Sequence, residues 1–316
     1  MVIDQDLAKY SDLAFRSAEL IYLLALAVSL VYYGMVQRAA QTGRERSSRT
    51  RSFGGVTQAM VWLAIAVHAV HVILRGLAAH RFPWGNLFEY VGVVSLFAMV
   101  IAALVINRRS MLVMWPWILT PVVVLLFYAG TKLYAQTAPV VPALQSYWFV
   151  IHVSTVSIGA GIGLISGMSS LMYLARRSKE NLDARRAKNP ESETGTQRRA
   201  TKVLDVLTRP LPDSQKLDGL AYRTAVWALP IFGLGVIFGA IWAHSAWSRF
   251  WGWDPKETVS FITWILYAAY LHARATPGWR GPKAAWINVV AFATMVFNLF
   301  FINMVVSGLH SYAGLN

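Results

Sequence analysis

Eight apolar stretches, each close to the roughly 20 residues that a helix needs to cross a lipid bilayer, constrain the fold of this chain most strongly. They lie near residues 17–37, 56–76, 87–106, 111–130, 148–174, 224–243, 257–275 and 284–306. Inside a bilayer every backbone polar group must be satisfied within its own segment, so stretches of this length predict helices. Pro116 and Pro121 predict a kinked or irregular start to the fourth span. The predicted fold class is an all-α polytopic integral membrane protein with about eight transmembrane helices.

The composition agrees with a membrane protein and excludes some kinds of chemistry. Of the 316 residues, 56% are hydrophobic and only 14% are charged, which is too few to cover a soluble globule of this size. Because there is no cysteine, any thiol chemistry must be supplied by another protein. The N-terminal sequence MVIDQDLAKY is acidic and polar, which argues against a cleaved signal peptide.

The positions of Lys and Arg predict the orientation of the chain in the membrane. The connections 38–54, 107–110, 175–223 and 274–283 carry 22 of the 29 basic residues, so we expect them on the cytoplasmic side. Both termini, and the connection between spans six and seven, are then expected outside. The long connection 175–223 is polar and mixed in charge, which predicts a flexible linker with room for a short interfacial helix.

These predictions divide the chain into four parts. They are an N-terminal membrane half with spans one to four (1–147), span five (148–174), a cytoplasmic basic linker (175–223) and a C-terminal half with spans six to eight (224–316). Most of the residues that could carry chemistry lie in the C-terminal half and in span five.

The segment WAHSAWSRFWGWDPKE, residues 242–257, is too polar to cross lipid and too aromatic for an ordinary connection. An interfacial aromatic belt and a flat platform for a planar aromatic ligand both explain its tryptophans. Asp254, Pro255 and Glu257 match a capping box, which predicts that a helix begins at Pro255. The four tryptophans of the segment are Trp242, Trp247, Trp251 and Trp253.

Two histidines are predicted to lie at the membrane level of this segment. His152 is about one turn inside the outer end of span five, and His310 follows span eight at the outer face. Two imidazoles flanking an aromatic patch are the arrangement that a bis-histidine haem needs, with the porphyrin against the tryptophans. At each position taken alone, a purely structural histidine is the alternative.

The other five histidines have less specific surroundings. His272 lies near the cytoplasmic end of span seven, where a position among lipid headgroups and an inner ligand site both fit. His68 and His71 are three residues apart on one face of span two. A hydrogen-bonded interior pair and a functional pair both fit this position. His80 and His244 are predicted to be solvated loop residues.

The external segment RFPWGNLFEY, residues 81–90, allows two interpretations. It could cap the aromatic site from the N-terminal half of the chain. It could equally begin a helix, with Asn86 as the N-cap and Glu89 as the third helical residue.

The run WAHSAWSRFWGWDPKET, continued by ITWILYAAYLHAR, resembles the WWD domain of the system II cytochrome c biogenesis proteins of the CcsA/ResC type, a haem-handling family. The resemblance includes IHV around His152, GLHSY around His310 and the PWGNLFEY segment, so it covers both halves of the chain. Two positions depart from the family pattern: Ser248, where glycine is usual, and Val259, where tryptophan is frequent. Ser248 bears on the conformation of the turn.

The resemblance implies a cytochrome c synthase, or haem lyase, subunit that receives or exports haem b and presents it outside the membrane. His152 and His310 would be the axial ligands of that haem, held at a site formed by Asp254 and the four tryptophans. His272 would be one ligand of a transmembrane haem, and a ResB/CcsB-like partner subunit would supply the opposing histidine. The membrane would be a plasma membrane or a thylakoid-type membrane.

The same resemblance implies the reaction and the remaining partners. The haem vinyl groups would form thioethers with the cysteines of a Cys-x-x-Cys-His apocytochrome c, which separate thiol-reducing proteins keep reduced. Arg249 and Lys256 are near enough in sequence to offset the charge of the haem propionates. No nucleic acid takes part.

Two other functional classes remain as alternatives at this stage. A haem b electron-transfer subunit would need histidine pairs facing each other at matched depths, and His272 has no such partner in this sequence. A polytopic transporter of another substrate would bind no haem. The visible spectrum of the purified protein separates these alternatives.

Overall fold

A computed structural model describes residues 3–108, 110–188 and 195–310 of the chain. All regular elements among these residues are helical, as predicted. The α-helices, numbered in chain order, are α1 (Gln5–Gln41), α2 (Ser48–Ala79), α3 (Leu87–Val105), α4 (Trp115–Lys132), α5 (Tyr147–Lys188), α6 (Gly195–Thr208), α7 (Ser214–Trp247), α8 (Pro255–Ala275) and α9 (Pro282–Phe297). Short 3-10 helices, Leu112–Met114 and Pro142–Gln145, precede α4 and α5, and a π-helical turn, Asn298–Ile302, continues α9.

Each of the eight predicted spans lies within or largely within one of these helices. Seven of the described helices, namely α1, α2, α3, α4, α5, α7 and α9, are long and apolar enough to cross a membrane. The predicted seventh span is α8, a helix of 21 residues that carries charged side chains at both ends and packs against α7 and α9. The chain is therefore a polytopic membrane protein.

Several helices continue well beyond the apolar stretches that predicted them. In the segment 175–223, predicted to be a flexible linker, α5 continues to Lys188, α6 follows, and α7 begins at Ser214. The Nζ of Lys179 bonds the carboxylate of Asp183 one turn later and lies 3.4 Å from that of Asp205 on α6. The described part of this segment is thus helical, because side-chain pairs outside lipid also stabilise helices. Residues 189–194 of the linker, and both chain ends (1–2 and 311–316), lie outside the described residues.

Side-chain caps explain where most of the long helices begin. Each cap accepts a hydrogen bond from a backbone N–H of the first helical turn, which would otherwise lack a partner. The caps of α1, α2, α3, α7 and α8 are Asp4, Ser47, Asn86, Asp213 and Asp254. The capping box predicted at Asp254 and Glu257 is confirmed.

The fourth span has the irregular start that its prolines predict. Leu112–Met114 form a 3-10 turn, and α4 begins at Trp115 with Pro116 in its first turn, where no backbone N–H donor is needed. Pro121 lies inside α4 and removes one backbone donor there.

Three apolar clusters form the interior. The largest contains residues of α1, α2, α3 and α4 and of the middle of α5, and a second contains residues of α5, α7, α8 and α9. The third connects the two halves of the chain at one end of the helices. Its buried members are Trp84, Val93, Leu144, Phe149, Val153 and Trp242.

Candidate functional site

Trp242, near the end of α7, lies between two histidines that are distant in sequence. Its ring centroid is 5.7 Å from that of His152 on α5, and the two rings are within 14° of parallel. The same centroid is 5.7 Å from that of His310, at an interplanar angle of 66°. The two imidazole centroids therefore lie within about twice this distance of each other, and both histidines line one cavity.

An acceptor beside Nδ1 fixes the proton position in each of these imidazoles. The Nδ1 of His152 is 2.7 Å from the backbone oxygen of Gly235, and a carbonyl oxygen only accepts, so this nitrogen carries the proton. The Nδ1 of His310 is 2.8 Å from Oδ1 of Asp254. In the neutral tautomers set by these contacts the lone pair is on Nε2. Metal-binding histidines use the same arrangement, with Nδ1–H donated to a carbonyl or a carboxylate.

Asp254 is 8% exposed and keeps its negative charge through several hydrogen bonds. Burial alone would raise the pKa of this carboxyl, but the His310 ring and the backbone N–H groups of Leu309 and Lys256 lower the pKa to about 2. Burial lowers the pKa of His310 below its ordinary value, against the opposing effect of Asp254. Near neutral pH the site therefore contains an ionised Asp254 and a neutral His310.

A single carboxylate organises the turn between α7 and α8. Oε2 of Glu257 accepts hydrogen bonds from the backbone N–H groups of Gly252, at 2.9 Å, and Asp254, at 3.2 Å. Arg249 adds a contact of 3.5 Å to the other oxygen of Glu257. These contacts hold Trp253 at a φ of 57°, in the left-handed region that bulky residues rarely adopt.

The four tryptophans differ from the predicted flat platform in a loop. Because α7 continues to Trp247, both Trp242 and Trp247 are helical, and Trp242 is only 1% exposed. Trp247 packs 5.3 Å from the ring of His310. Trp251 lines the cavity, whereas Trp253 is 67% exposed and lies at 90° to Trp251. Trp242 and Trp247 therefore pack against His310, Trp242 and Trp251 line the cavity, and Trp253 lies at the surface.

The walls of the cavity are mostly apolar and come from α3, α4, α5, α7 and α9. Lys256 also lines it, and its Nζ bonds Oδ1 of Asn303. Arg249, the other cation predicted near the site, lies against Gly252 and Glu257 in the turn. Lys256 is thus the better placed of the two for an anionic group in the cavity.

The N-terminal half closes one side of the cavity, as one interpretation of residues 81–90 predicted. Trp84 and Gly85 line the cavity, and Asn86 also caps α3, so both interpretations of this segment apply. The side chain of Glu89 has no exposed surface and accepts hydrogen bonds from the backbone N–H of Gly85 and from two arginines. These are Arg75 at 2.9 Å and Arg81 at 2.7 Å, which also donate to backbone carbonyls between α4 and α5.

Three other histidines are not among the residues that line the cavity. His272 is exposed at the far end of α8, 18 residues after Asp254, which corresponds to about 27 Å along the helix. His80 is the exposed C-cap of α2. His244 is also exposed but belongs to α7 and stacks on Phe250, so its predicted loop position is wrong. Of these histidines and the two at the cavity, only His152 and His310 were predicted to share a site, and the structure places both at one cavity.

Comparison with known proteins identifies the family. A sequence profile of the cytochrome C assembly protein family matches residues 53–310. The chain belongs to this family. The cytochrome c biogenesis protein CcsA of Parasynechococcus marenigrum is 31% identical over an alignment of 307 positions that covers 92% of each chain. CcsA of Heterosigma akashiwo is 32% identical over 250 residues, 74% of this chain and 78% of the relative. The chain is thus a CcsA-type protein of cytochrome c biogenesis.

A solved structure shares the fold. It is the cytochrome c haem lyase CcmF, with a TM-score of 0.58 and 16% identity, covering 91% of this chain and 46% of that chain. The cytochrome c assembly family member described here therefore spans about half the length of this structural neighbour.

Several contacts of the site could not be predicted from the sequence. The backbone carbonyl of Gly235 accepts a hydrogen bond, and residue type gives no indication of such a contact. Asp254 was predicted both as a helix cap and as a residue of the site, but nothing in its local pattern indicated a contact with His310. Glu257 was recognised only as a capping residue, although its spacing from Gly252 is the signal for a carboxylate that also closes the preceding turn.

Replacing Ser248 by glycine is expected to stabilise this cytochrome c assembly protein by about 1 kcal/mol. Ser248 ends α7 with a φ of 56°, where a residue with a Cβ is strained and glycine is not. The matched control is Ser245→Gly, one turn earlier inside α7, which should destabilise by about 0.5–1 kcal/mol. Thermal unfolding of both variants in detergent measures the difference. Equal destabilisation by both would contradict strain at Ser248.

Proposed function

We propose that this chain holds haem between His152 and His310 and presents it on the extracytoplasmic side of the membrane for attachment to apocytochrome c. One observation carries the proposal. Two imidazoles from distant parts of the chain flank Trp242 at one cavity, and each has an acceptor at Nδ1 that leaves the Nε2 lone pair for a metal.

The residues around the two ligands would have distinct tasks. Gly235 and Asp254 would orient the imidazoles, and ionised Asp254 would make Nε2 of His310 a stronger electron-pair donor to a metal. Lys256, which lines the cavity, would offset the charge of a propionate. The apolar walls, including Trp84 from the N-terminal half, would exclude water from the porphyrin. The haem is the substrate of this chain, held transiently and passed on.

His272 would bind a second haem within the membrane. Its exposed position at the far end of α8 fits a ligand that waits for an opposing histidine from a ResB/CcsB-like partner subunit. This chain and its partner would then receive haem near the cytoplasmic side and pass it outward, in a plasma membrane or a thylakoid-type membrane.

The reaction at the outer site would be thioether formation. The two cysteine thiols of a reduced Cys-x-x-Cys-His apoprotein would add across the two vinyl groups of the haem, and the histidine of that motif would replace a protein ligand on the iron. This chain has no cysteine, so reduction of the apoprotein belongs to separate thiol-reducing proteins. The role of the chain is to orient the haem and to shield it.

The experiment that tests this function co-expresses the chain with a ResB/CcsB-like partner and an apocytochrome c. We expect the purified complex to have a low-spin bis-histidine haem spectrum, and holocytochrome c to form only when the complex is present. Bound haem without formation of holocytochrome c would favour an electron-transfer subunit. A haem-free complex under haem-replete expression would contradict the proposal and favour transport of another substrate.

Replacing Asp254 by asparagine is expected to weaken haem binding by about 10- to 100-fold. Asparagine still caps a helix, so α8 is kept, but the carboxylate that polarises His310 is lost. The matched control is Asp213→Asn, which caps α7 in the same way at a remote, exposed position. Haem titration followed at the Soret band measures the difference. An Asp254→Asn protein that binds haem as tightly as Asp213→Asn would contradict this role.

A further inference from the structure

A second pair of histidines lies buried in the N-terminal half, outside the candidate haem site. His68 and His71 on α2 are 0% and 1% exposed, and their ring centroids are 6.0 Å apart with the planes inclined by 30°. The sequence pattern left open whether they are an interior hydrogen-bonded pair or a functional pair. The proposed handling of haem uses neither of them.

Both imidazoles face a space that a glycine leaves open. A Cβ placed on Gly92 of α3 would lie 3.5 Å from Nε2 of His71 and 4.0 Å from Nε2 of His68. The two Nε2 atoms therefore approach one point on the surface of α3. Gly92 itself contributes no side chain at that point.

The proton of His71 is positioned as in a metal-binding imidazole. Its Nδ1 is 3.0 Å from the backbone oxygen of Ser11, which only accepts, so Nδ1 carries the proton and Nε2 carries the lone pair. The hydroxyl of Ser11 donates to the backbone oxygen of His71 and lies 2.9 Å from its Nδ1. This contact on α1 orients the His71 ring toward Gly92.

His68 lacks a hydrogen-bond partner of standard geometry. Among the described residues neither of its ring nitrogens has one, although the backbone of Gly92 lies close enough to act on the ring, and Tyr22 Oη and Ser95 Oγ also lack such a partner. The Tyr22 ring is 5.9 Å from that of His68, and Ser95 lies one turn after Gly92 on α3. Each buried polar group without a partner costs about 1–3 kcal/mol, and a bound ion is one physical reason for such a group to persist.

We propose that His68 and His71 bind a copper(I) ion in the space beside Gly92. Imidazole nitrogen suits copper, and copper(I) accepts two ligands in a linear arrangement, whereas zinc sites in proteins are almost always four-coordinate. The ring of Phe15 lies 5.1 Å from that of His71, so the surroundings are largely apolar. Arg75 follows His71 by one turn, and its charge is offset by the carboxylates of Glu89, at 2.9 Å, and Asp12, at 3.4 Å.

The test uses the full chain, purified in detergent with its partner and stripped of metal by a chelator. The protein is then titrated with copper(I) under anaerobic conditions, with ascorbate as reductant, in competition with a chromogenic chelator. We expect one tightly bound copper ion per chain, and X-ray absorption should give two nitrogen ligands at about 2 Å. His68→Ala and His71→Ala should each abolish tight binding. The matched control, His80→Asn, removes an exposed histidine at a positive φ that asparagine tolerates, and should bind copper normally.

Gly92→Ala tests the location without removing either imidazole. The added methyl group would lie 3.5 Å from Nε2 of His71 and 4.0 Å from Nε2 of His68, so the protein should fold normally, and it would crowd an ion held between these nitrogens without taking its place. We expect weaker copper binding with unchanged thermal stability of the copper-free protein. Copper bound as tightly in Gly92→Ala as in the unaltered protein, or retained in both histidine variants, would overturn the site. Loss of copper in His152→Ala instead would assign the ion to the haem cavity. If the unaltered protein binds no copper tightly, the proposal is wrong and only buried water is left to occupy the space beside Gly92.

Discussion

Haem retention is expected to fall sharply when either His152 or His310 is replaced by alanine, and to recover in part when imidazole is added. Each replacement would remove one of the two proposed axial nitrogens, so the loss should exceed the roughly 10- to 100-fold effect of losing an outer-shell partner. Added imidazole can enter the space that the side chain leaves, which at His152 lies directly against Gly239 of α7. Soret absorbance and haem per chain, measured on the purified complex with its partner, report both effects.

The control for these variants is His244→Ala. His244 is also near the end of α7, but it is exposed and reaches the cavity only through Phe250, a lining residue on which it stacks, so haem content should fall far less than in the ligand variants. His272→Ala should reduce a separate population of haem and leave the imidazole response of His152→Ala and His310→Ala intact. Full haem content in His152→Ala and in His310→Ala would place the outer ligands elsewhere.

The positions of the helices were predictable because lipid imposes one rule on every span. A segment of about 20 apolar residues must be a helix in a bilayer, whatever its side chains. The ends of the helices follow other rules, and here the sequence was less informative. α5 extends to Lys188 because polar residues outside lipid continue the helix, and α7 extends to Trp247 through residues that matched a loop in composition.

The meeting of His152 with His310 at one cavity was predictable because the order of the spans leads one to expect both at the same membrane level. Their geometry was not, since it depends on contacts between helices. The burial of Trp242 shows the difference: its Nε1 donates to the backbone oxygen of Ala143, in the connection before α5. Neither the spacing of the tryptophans nor their number indicates such a contact. The same holds for Glu89, which matched the third residue of a helix and whose arginine partners lie on α2 and in the connection after it.

Replacing Glu89 by alanine is expected to destabilise the protein by about 3–5 kcal/mol, because it leaves two guanidinium groups without their buried carboxylate. The side chains of Glu89 and Arg75 are 0% and 1% exposed, and that of Arg81 is 15% exposed. Unlike surface ion pairs, these charges cannot be compensated by water. Thermal unfolding in detergent should show a midpoint lower by roughly ten degrees.

The same replacement should also weaken haem binding, because Glu89 holds the segment that closes the cavity. Its carboxylate binds the N–H of Gly85, and the neighbouring Trp84 is 6% exposed and packs in the cluster beneath Trp242. A matched control is Arg177→Ala, which breaks a half-exposed pair with Glu180 and should cost less than about 1 kcal/mol. Glu89→Ala could instead unfold at no lower temperature than Arg177→Ala and keep its haem. The buried arginines would then have other partners, and the segment would close the cavity without this carboxylate.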